Sequence, residues 1–305
     1  MHQYWDKLGL IYDGKTNPDY SYASVPVLLF LNRHTARIYF SSRDYHNRSF
    51  PFYLDYDLRY KKILDILPEP LLVPGDWGAF DDSGIMPTCV VKYNTEIRLY
   101  YIGWNLGITV PFRNSLGLAV SYDNGSNFKK AFKGPVLDRN KHEPHFNASA
   151  CIINEGDIWK IWYLSCIKWE KNNDGIKHYY HIKYAESPNG IDWVRNGRVA
   201  IDFKYPNEYA ISVPRVIQEN GLYKMWYSYR GGSISEKYRI GYAESENGID
   251  WIRKDENMNL PVSESGWDSD MICYPCIFDY EGDKYMLYNG NGYGKTGFGL
   301  AVLKK

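Results

Sequence analysis

Carboxylates stand a few residues ahead of five strand-like segments: Asp19 before the first, Asp81 and Asp82 before the second, Glu143 before the third, Glu208 before the fourth, Asp268 and Asp270 before the fifth. Two carboxyl groups flanking a glycosidic bond are sufficient for its cleavage, one protonated to donate to the leaving oxygen and one charged to act as base or nucleophile. We take Asp82, Glu143 and Asp270 as the candidate catalytic set, with Glu143 as proton donor and Asp82 as base or nucleophile. Asp81, Glu208 and Asp268 are then expected to orient sugar hydroxyls.

Other side chains suit a sugar as well. Arg43, Asp44, Trp104, Lys168, Arg230 and Asn289 close the second strand of their segments, His142 and His145 flank Pro144, and Arg215 follows Pro214. Amides, carboxylates and cations bond ring hydroxyls, while an indole face covers an apolar C–H patch. Lys168, Arg215, Arg230 and His145 also leave room for an anionic group such as a phosphate or a sugar carboxylate. An Asp or Asn ahead of a strand equally serves as a turn cap, so both readings stand for each residue.

What would bring these residues together is a repeat. Segments beginning at Ser24, Ile85, Asn147, Ser212 and Cys273 each read as strand, tight turn, strand, and their anchors Pro26, Pro87, Ser149, Pro214 and Pro275 lie 61, 62, 65 and 61 residues apart. Self-similarity at so even a spacing marks a repeat architecture. Three copies continue through an Asn-Gly turn into a fourth strand, as in HIKYAESPNGIDWVR from His181 and RIGYAESENGIDWIR from Arg239.

The pattern predicts an all-β, five-bladed β-propeller with four antiparallel strands per blade, residues 1–305 forming one domain. The last copy ends after its third strand, and WDKLGLIYD from Trp5 matches FKKAFKGPVLD from Phe128, so the N-terminal strand is expected to close the ring. The start of each first strand and the end of each second share one mouth of such a ring. The aromatics of KIWYLS and KMWYSY are assigned to packing between blades.

Aromatic residues make up 17% of the chain, which suits strands. Lys plus Arg and Asp plus Glu are both 36, so no net field would draw nucleic acid or an anionic membrane. The first residues lack a secretory pattern and no stretch is long and apolar enough to span a bilayer, giving a cytoplasmic expectation. Cys89, Cys151, Cys166, Cys273 and Cys276 read as buried thiols. The two histidines have no third ligand at a telling spacing, so no metal site is assigned and no cofactor is required, although an axial calcium remains compatible. The expected partner is a carbohydrate or sugar-phosphate ligand.

The phrases VPRVIQENGLYKMWYS from Val213 and YRIGYAESENGIDWIR from Tyr238 resemble blade motifs of the five-bladed glycosidase superfamily, which includes arabinanases, invertases, levansucrases and β-mannoside phosphorylases. The resemblance covers blades two to five and, more faintly, blade one. It implies a glycoside hydrolase-like enzyme with an acidic site on the axis. Glycoside phosphorolysis, glycosyl transfer in surface-polysaccharide metabolism and sugar binding without catalysis are the alternatives. Members place acids beside the first-strand proline, as Asp-Pro or Glu-x-Pro. Here those places hold Val25, Met86, Ala148, Val213 and Tyr274, preceded by Ser24, Ile85, Asn147, Ser212 and Cys273. The acids stand five or more residues upstream. Either the lead-in loops carry them to the axis, or the chemistry has changed.

Overall fold

The computed structural model describes residues 2–173 and 175–305. The chain opens with β1 (Gln3–Tyr12) and then runs through antiparallel meanders. The first contains β2 (Ser21–Phe30), β3 (Thr35–Arg43), β4 (Ser49–Asp57) and β5 (Lys62–Ile66), and the second β6 (Gly84–Tyr93), β7 (Glu96–Leu106), β8 (Phe112–Ser121) and β9 (Lys129–Lys130). The third contains β10 (Asn147–Glu155), β11 (Ile158–Asn172), β12 (Gly175–Ser187) and β13 (Val199–Ile201), and the fourth β14 (Glu208–Glu219), β15 (Leu222–Gly231), β16 (Ser235–Ser245) and β17 (Ile252–Arg253). After the short β18 (Met258–Asn259) come β19 (Cys273–Tyr280), β20 (Asp283–Asn289) and β21 (Phe298–Leu303).

The last three strands take their fourth from the other end of the chain. β1 pairs antiparallel with β21, from Trp5 opposite Leu303 to Tyr12 opposite Phe298. The likeness between the segments at Trp5 and Phe128 suggests this pairing, and it covers an edge that would otherwise present unpaired backbone groups. The first strands pack in a closed cycle: β2 on β6, β6 on β10, β10 on β14, β14 on β19, and β19 on β2.

Neighbouring meanders are locked by second-strand aromatics that reach the Asn-Gly turn of the next unit. Tyr39 Oη donates to Gly125 O at 2.8 Å, Tyr100 Oη to Gly190 O at 3.0 Å and Trp162 Nε1 to Gly248 O at 2.7 Å. These glycines have φ of 79°, 74° and 76°, and a Cβ on Gly190 would come within 2.8 Å of Trp159 and Tyr100. The turn therefore needs glycine both for its backbone and for the aromatic wedged against it. Trp162 and Trp226 of KIWYLS and KMWYSY are buried in this packing.

At the anchors the first strands bulge. Register slips between Ser24 and Val27, Pro87 and Cys89, Asn147 and Ala150, Ser212 and Arg215, and Cys273 and Cys276. Val25, Val213 and Tyr274 adopt φ of 53°, 48° and 56°, a region costly for any residue with a Cβ and most costly for valine. Each strained N–H is held by a side chain: Asn289 Oδ1 at 2.8 Å, Ser149 Oγ at 2.9 Å and Ser228 Oγ at 2.8 Å respectively. Bulges re-aim side chains, and here they turn the anchor residues toward the centre of the cycle. All five cysteines are free and buried. Among the described residues no helix is long and apolar enough to cross a membrane.

Candidate functional site

Four of the acids singled out from sequence are consumed by a repeated clamp. Asp81 accepts from Tyr101 Oη at 3.2 Å and pairs with Lys130 at 2.6 Å. Glu143 accepts from Tyr163 Oη at 2.7 Å and from Asn147 Nδ2 at 3.1 Å, and it pairs with Arg195 at 3.0 Å. Asp268 accepts from Tyr288 Oη at 2.9 Å and pairs with Lys7 at 2.7 Å. Glu208 is held by both Nη atoms of Arg253, at 2.8 and 2.9 Å, and Arg253 also binds Asp255, the acceptor for Tyr227.

In each case the tyrosine comes from the second strand and the cation from the outermost segment, two residues after Trp5, Phe128, Trp193 or Trp251. All four carboxylates are buried. Burial, then the adjacent carboxylate, pushes the Tyr101, Tyr163 and Tyr288 hydroxyls well above their usual range, so they remain donors. Burial opposes the charge on Asp268, but Lys7, Ser263 and Tyr288 outweigh it and hold that carboxyl below its usual range. The first meander replaces the polar clamp with rings: Tyr20 and Phe40, at the corresponding positions, both pack on Phe52.

The expected catalytic set is therefore not assembled. Glu143 is fixed inside the third meander by Arg195. Asp82 lines a side groove of about 560 Å³ with His46, Arg48 and Trp77, where it accepts from Ser83, Gly78 N and Asn105. Burial disfavours its charge, but these three donors prevail and hold its carboxyl below the usual range; that keeps it ionised, as the base or nucleophile role requires, but in the side groove and not in the lining of the central cavity. Asp270 is exposed, 3.4 Å from Lys237. Asp81, Glu143, Glu208 and Asp268 are drawn onto cations of the outer segments, and none of the lead-in acids lines the central cavity.

Several expected substrate contacts are structural as well. Asp44 caps a turn through His46 N and Arg48 N. His142 is exposed in a turn capped by Asn140, and Lys168 pairs with Glu170 on the surface. His145 does not line the central cavity. Asn289 is fully buried and clips Val25 N, Ala23 O and Gly297 O. Arg215 is buried behind the cavity, donating to Ala150 O and Pro214 O.

Arg43, Trp104 and Arg230 do line the central cavity. It has a volume of about 280 Å³, is built from all five meanders, and includes Ser24, Met86, Ser149, Ser212 and Tyr274 from the five first strands. Its walls add His178 and Tyr180 from β12, Tyr238 from β16 and Tyr293 from the turn before β21. No lining residue among those described is Asp or Glu. Arg43 Nε, Trp104 Nε1, His178 Nδ1 and Arg230 Nε are shut off from solvent without a partner. Such a cavity offers aromatic faces and an excess of donors. A calcium ion needs six to eight oxygen ligands, and two arginines without a carboxylate do not fit one, so the axial calcium left open by the sequence is not supported here.

His178 packs among Phe112, Phe146, Trp169 and Tyr180. Burial, and then the charge of Arg230, lower its pKa to about 4 from the ordinary 6.5. Between those values the unfolded chain binds a proton that the folded ring refuses, so stability is complete above pH 6.5 and is lost as the pH falls toward 4. The expected loss from this ring is roughly 2–3 kcal/mol. His178→Phe should flatten that part of a denaturation-versus-pH curve. It should not abolish the slope, because burial also lowers the pKa of His181.

No family model matches the chain. It is 41% identical over 303 residues to the uncharacterized protein Rv1502 of Mycobacterium tuberculosis, covering 98% of this chain and 99% of that protein. It is 31% identical over 90 residues to a 1,2-beta-oligomannan phosphorylase of Thermoanaerobacter, 29% of this chain and 30% of that one. Among solved structures, a thermostable family-43 glycoside hydrolase superposes with a TM-score of 0.68 at 19% identity, over 96% of this chain and 91% of its own. A GH32 beta-fructofuranosidase from Bombyx mori superposes with a TM-score of 0.63 at 14% identity, over 94% and 61% respectively.

Proposed function

Since the chain belongs to one family with the mycobacterial protein Rv1502 and has the fold of GH43 and GH32 glycoside hydrolases, we propose that it is a sugar-recognising propeller of that glycosidase superfamily whose ligand sits in the central cavity. The five meanders are read as five blades with β1 closing the ring, a reading supported by the cycle of first strands and the β1–β21 ladder. The observation that carries the function is the make-up of that cavity. Every blade contributes to it, aromatic and donor groups line it, and four of the lead-in acids are spent in clamps with outer segments.

A two-carboxylate cleavage needs one acid and one base across the bond, and the cavity lining holds neither. What remains is recognition. The Trp104 face and the tyrosines cover the apolar side of a ring, and the unpaired N–H groups bind its oxygens. About 280 Å³ lies at the small end of the range for small-molecule sites, which suits a mono- or disaccharide.

Calorimetry over a panel of short glycans, with product analysis of each mixture, tests this. The expected result is saturable binding without new reducing ends, weakened about tenfold or more by Trp104→Ala. Turnover that disappears in Asp82→Asn or Asp270→Asn would overturn it. Phosphorolysis is the second reading, favoured by the unpaired Arg43 and Arg230 and by the partial likeness to an oligomannan phosphorylase. It requires phosphate to be consumed together with the glycan in the same assay.

A further inference from the structure

We infer that the ligand of the central cavity carries an anionic oxyacid group, a carboxylate or a phosphate, gripped by Arg43 and Arg230; this rests on the sugar-binding reading above.

The two arginines approach from the ends of β3 and β15, and both are half-buried. Arg37, Arg98, Arg195 and Arg253 each face a carboxylate. Arg43 and Arg230 have none among the described residues. Arg43 donates to Asn47 Oδ1 at 2.9 Å and lies 4.6 Å from the Tyr22 ring centre. Arg230 donates to Tyr293 Oη at 2.6 Å and is caged by the rings of Tyr209, Tyr238 and Tyr293. Rings compensate a guanidinium only in part, and the Nε of each remains buried and unpartnered.

A charge removed from water without a counter-charge is held at a cost that an opposite charge would relieve. The planar guanidinium edge matches two oxygens of a carboxylate or phosphate. A neutral sugar would leave both charges unanswered, and no acid in the lining competes for them. His178 adds a neutral ring whose Nδ1 is free to donate.

Calorimetric titrations with glucuronate against glucose, galacturonate against galactose, glucose 1-phosphate, and inorganic phosphate test the inference and separate the two oxyacids. The acidic member of a pair should bind about tenfold or more tightly than its neutral parent, with an advantage that shrinks as salt rises. Arg230→Gln should erase the preference, while Trp104→Ala should weaken acidic and neutral sugars alike. In the intact protein, the His178 ring should titrate at higher pH once the acidic sugar is bound, a readout that needs no variant. Equal affinity for acidic and neutral sugars overturns the anionic inference and leaves sugar binding standing. Binding of inorganic phosphate with no sugar recognised leaves the anion and overturns the sugar. No binding by any probe overturns both.

Discussion

Replacing Glu143 by alanine should destabilise the protein by about 3–5 kcal/mol, lowering the melting temperature on the order of 5–10 °C. The carboxylate is completely buried and faces Arg195 at 3.0 Å, Lys183 at 3.8 Å and the Tyr163 hydroxyl. Removing it strands two cations and a buried hydroxyl. Asp270→Asn, on an exposed side chain, should change stability by less than about 0.5 kcal/mol. Thermal melts of both variants give the comparison. A catalytic proton donor would behave differently, since Glu143→Gln would then leave the melt unchanged and abolish turnover. Adding Arg195→Met to Glu143→Gln should recover part of the loss, because the second change removes the unpaired charge that the first creates.

Removing residues 2–12 should abolish cooperative folding. Trp5 is buried edge-on against Trp226 at 6.5 Å between ring centres, Gln3 accepts from the Trp226 indole, and Lys7 neutralises Asp268. Loss of one buried Trp costs about 3–5 kcal/mol and loss of one buried ion-pair partner about as much. Together with a stripped β21 edge, this matches the whole of a typical folding free energy of about 5–15 kcal/mol. The same geometry supplies the control. Lys304 N donates to Tyr4 O at 2.8 Å, so β1 can be reattached after Lys305 through a few glycines. That permuted chain should melt cooperatively near the parent temperature, as followed by circular dichroism, while the truncated chain should not. A truncated chain with an unchanged melt would mean that β1 is an ornament on the ring.

The repeat was legible because each unit must bury the same positions to hold its neighbours, so anchor residues and paired aromatics recur at intervals of 61 to 65 residues, with an Asn-Gly turn in three of the copies. The role of the acids was misplaced. Position ahead of an inner strand does not say which way a side chain turns. The missing signal is a pattern on the outer segments, an aromatic followed two residues later by a cation, at Trp5 and Lys7, Phe128 and Lys130, Trp193 and Arg195, Trp251 and Arg253. The likeness between the segments at Trp5 and Phe128 already superposes Lys7 on Lys130, and the two lysines hold Asp268 and Asp81. That Arg43, Trp104 and Arg230 lie at the cavity is legible because the ladder fixes where a second strand ends. His178, Tyr180, Tyr238 and Tyr293 are not, since third-strand starts and the turn before β21 leave no mark in hydrophobic alternation; Tyr274 stands at an anchor, but the bulge that turns it inward is equally silent there.

Diffraction from crystals soaked in a mixture of neutral sugars, uronic acids and sugar phosphates addresses the location of the ligand directly. Density between Arg43 and Arg230, with a ring against Trp104 and the clamps of Asp81, Glu143, Glu208 and Asp268 undisturbed, is the expected result. Density beside Asp82 or Asp270 with the central cavity left to water would contradict it.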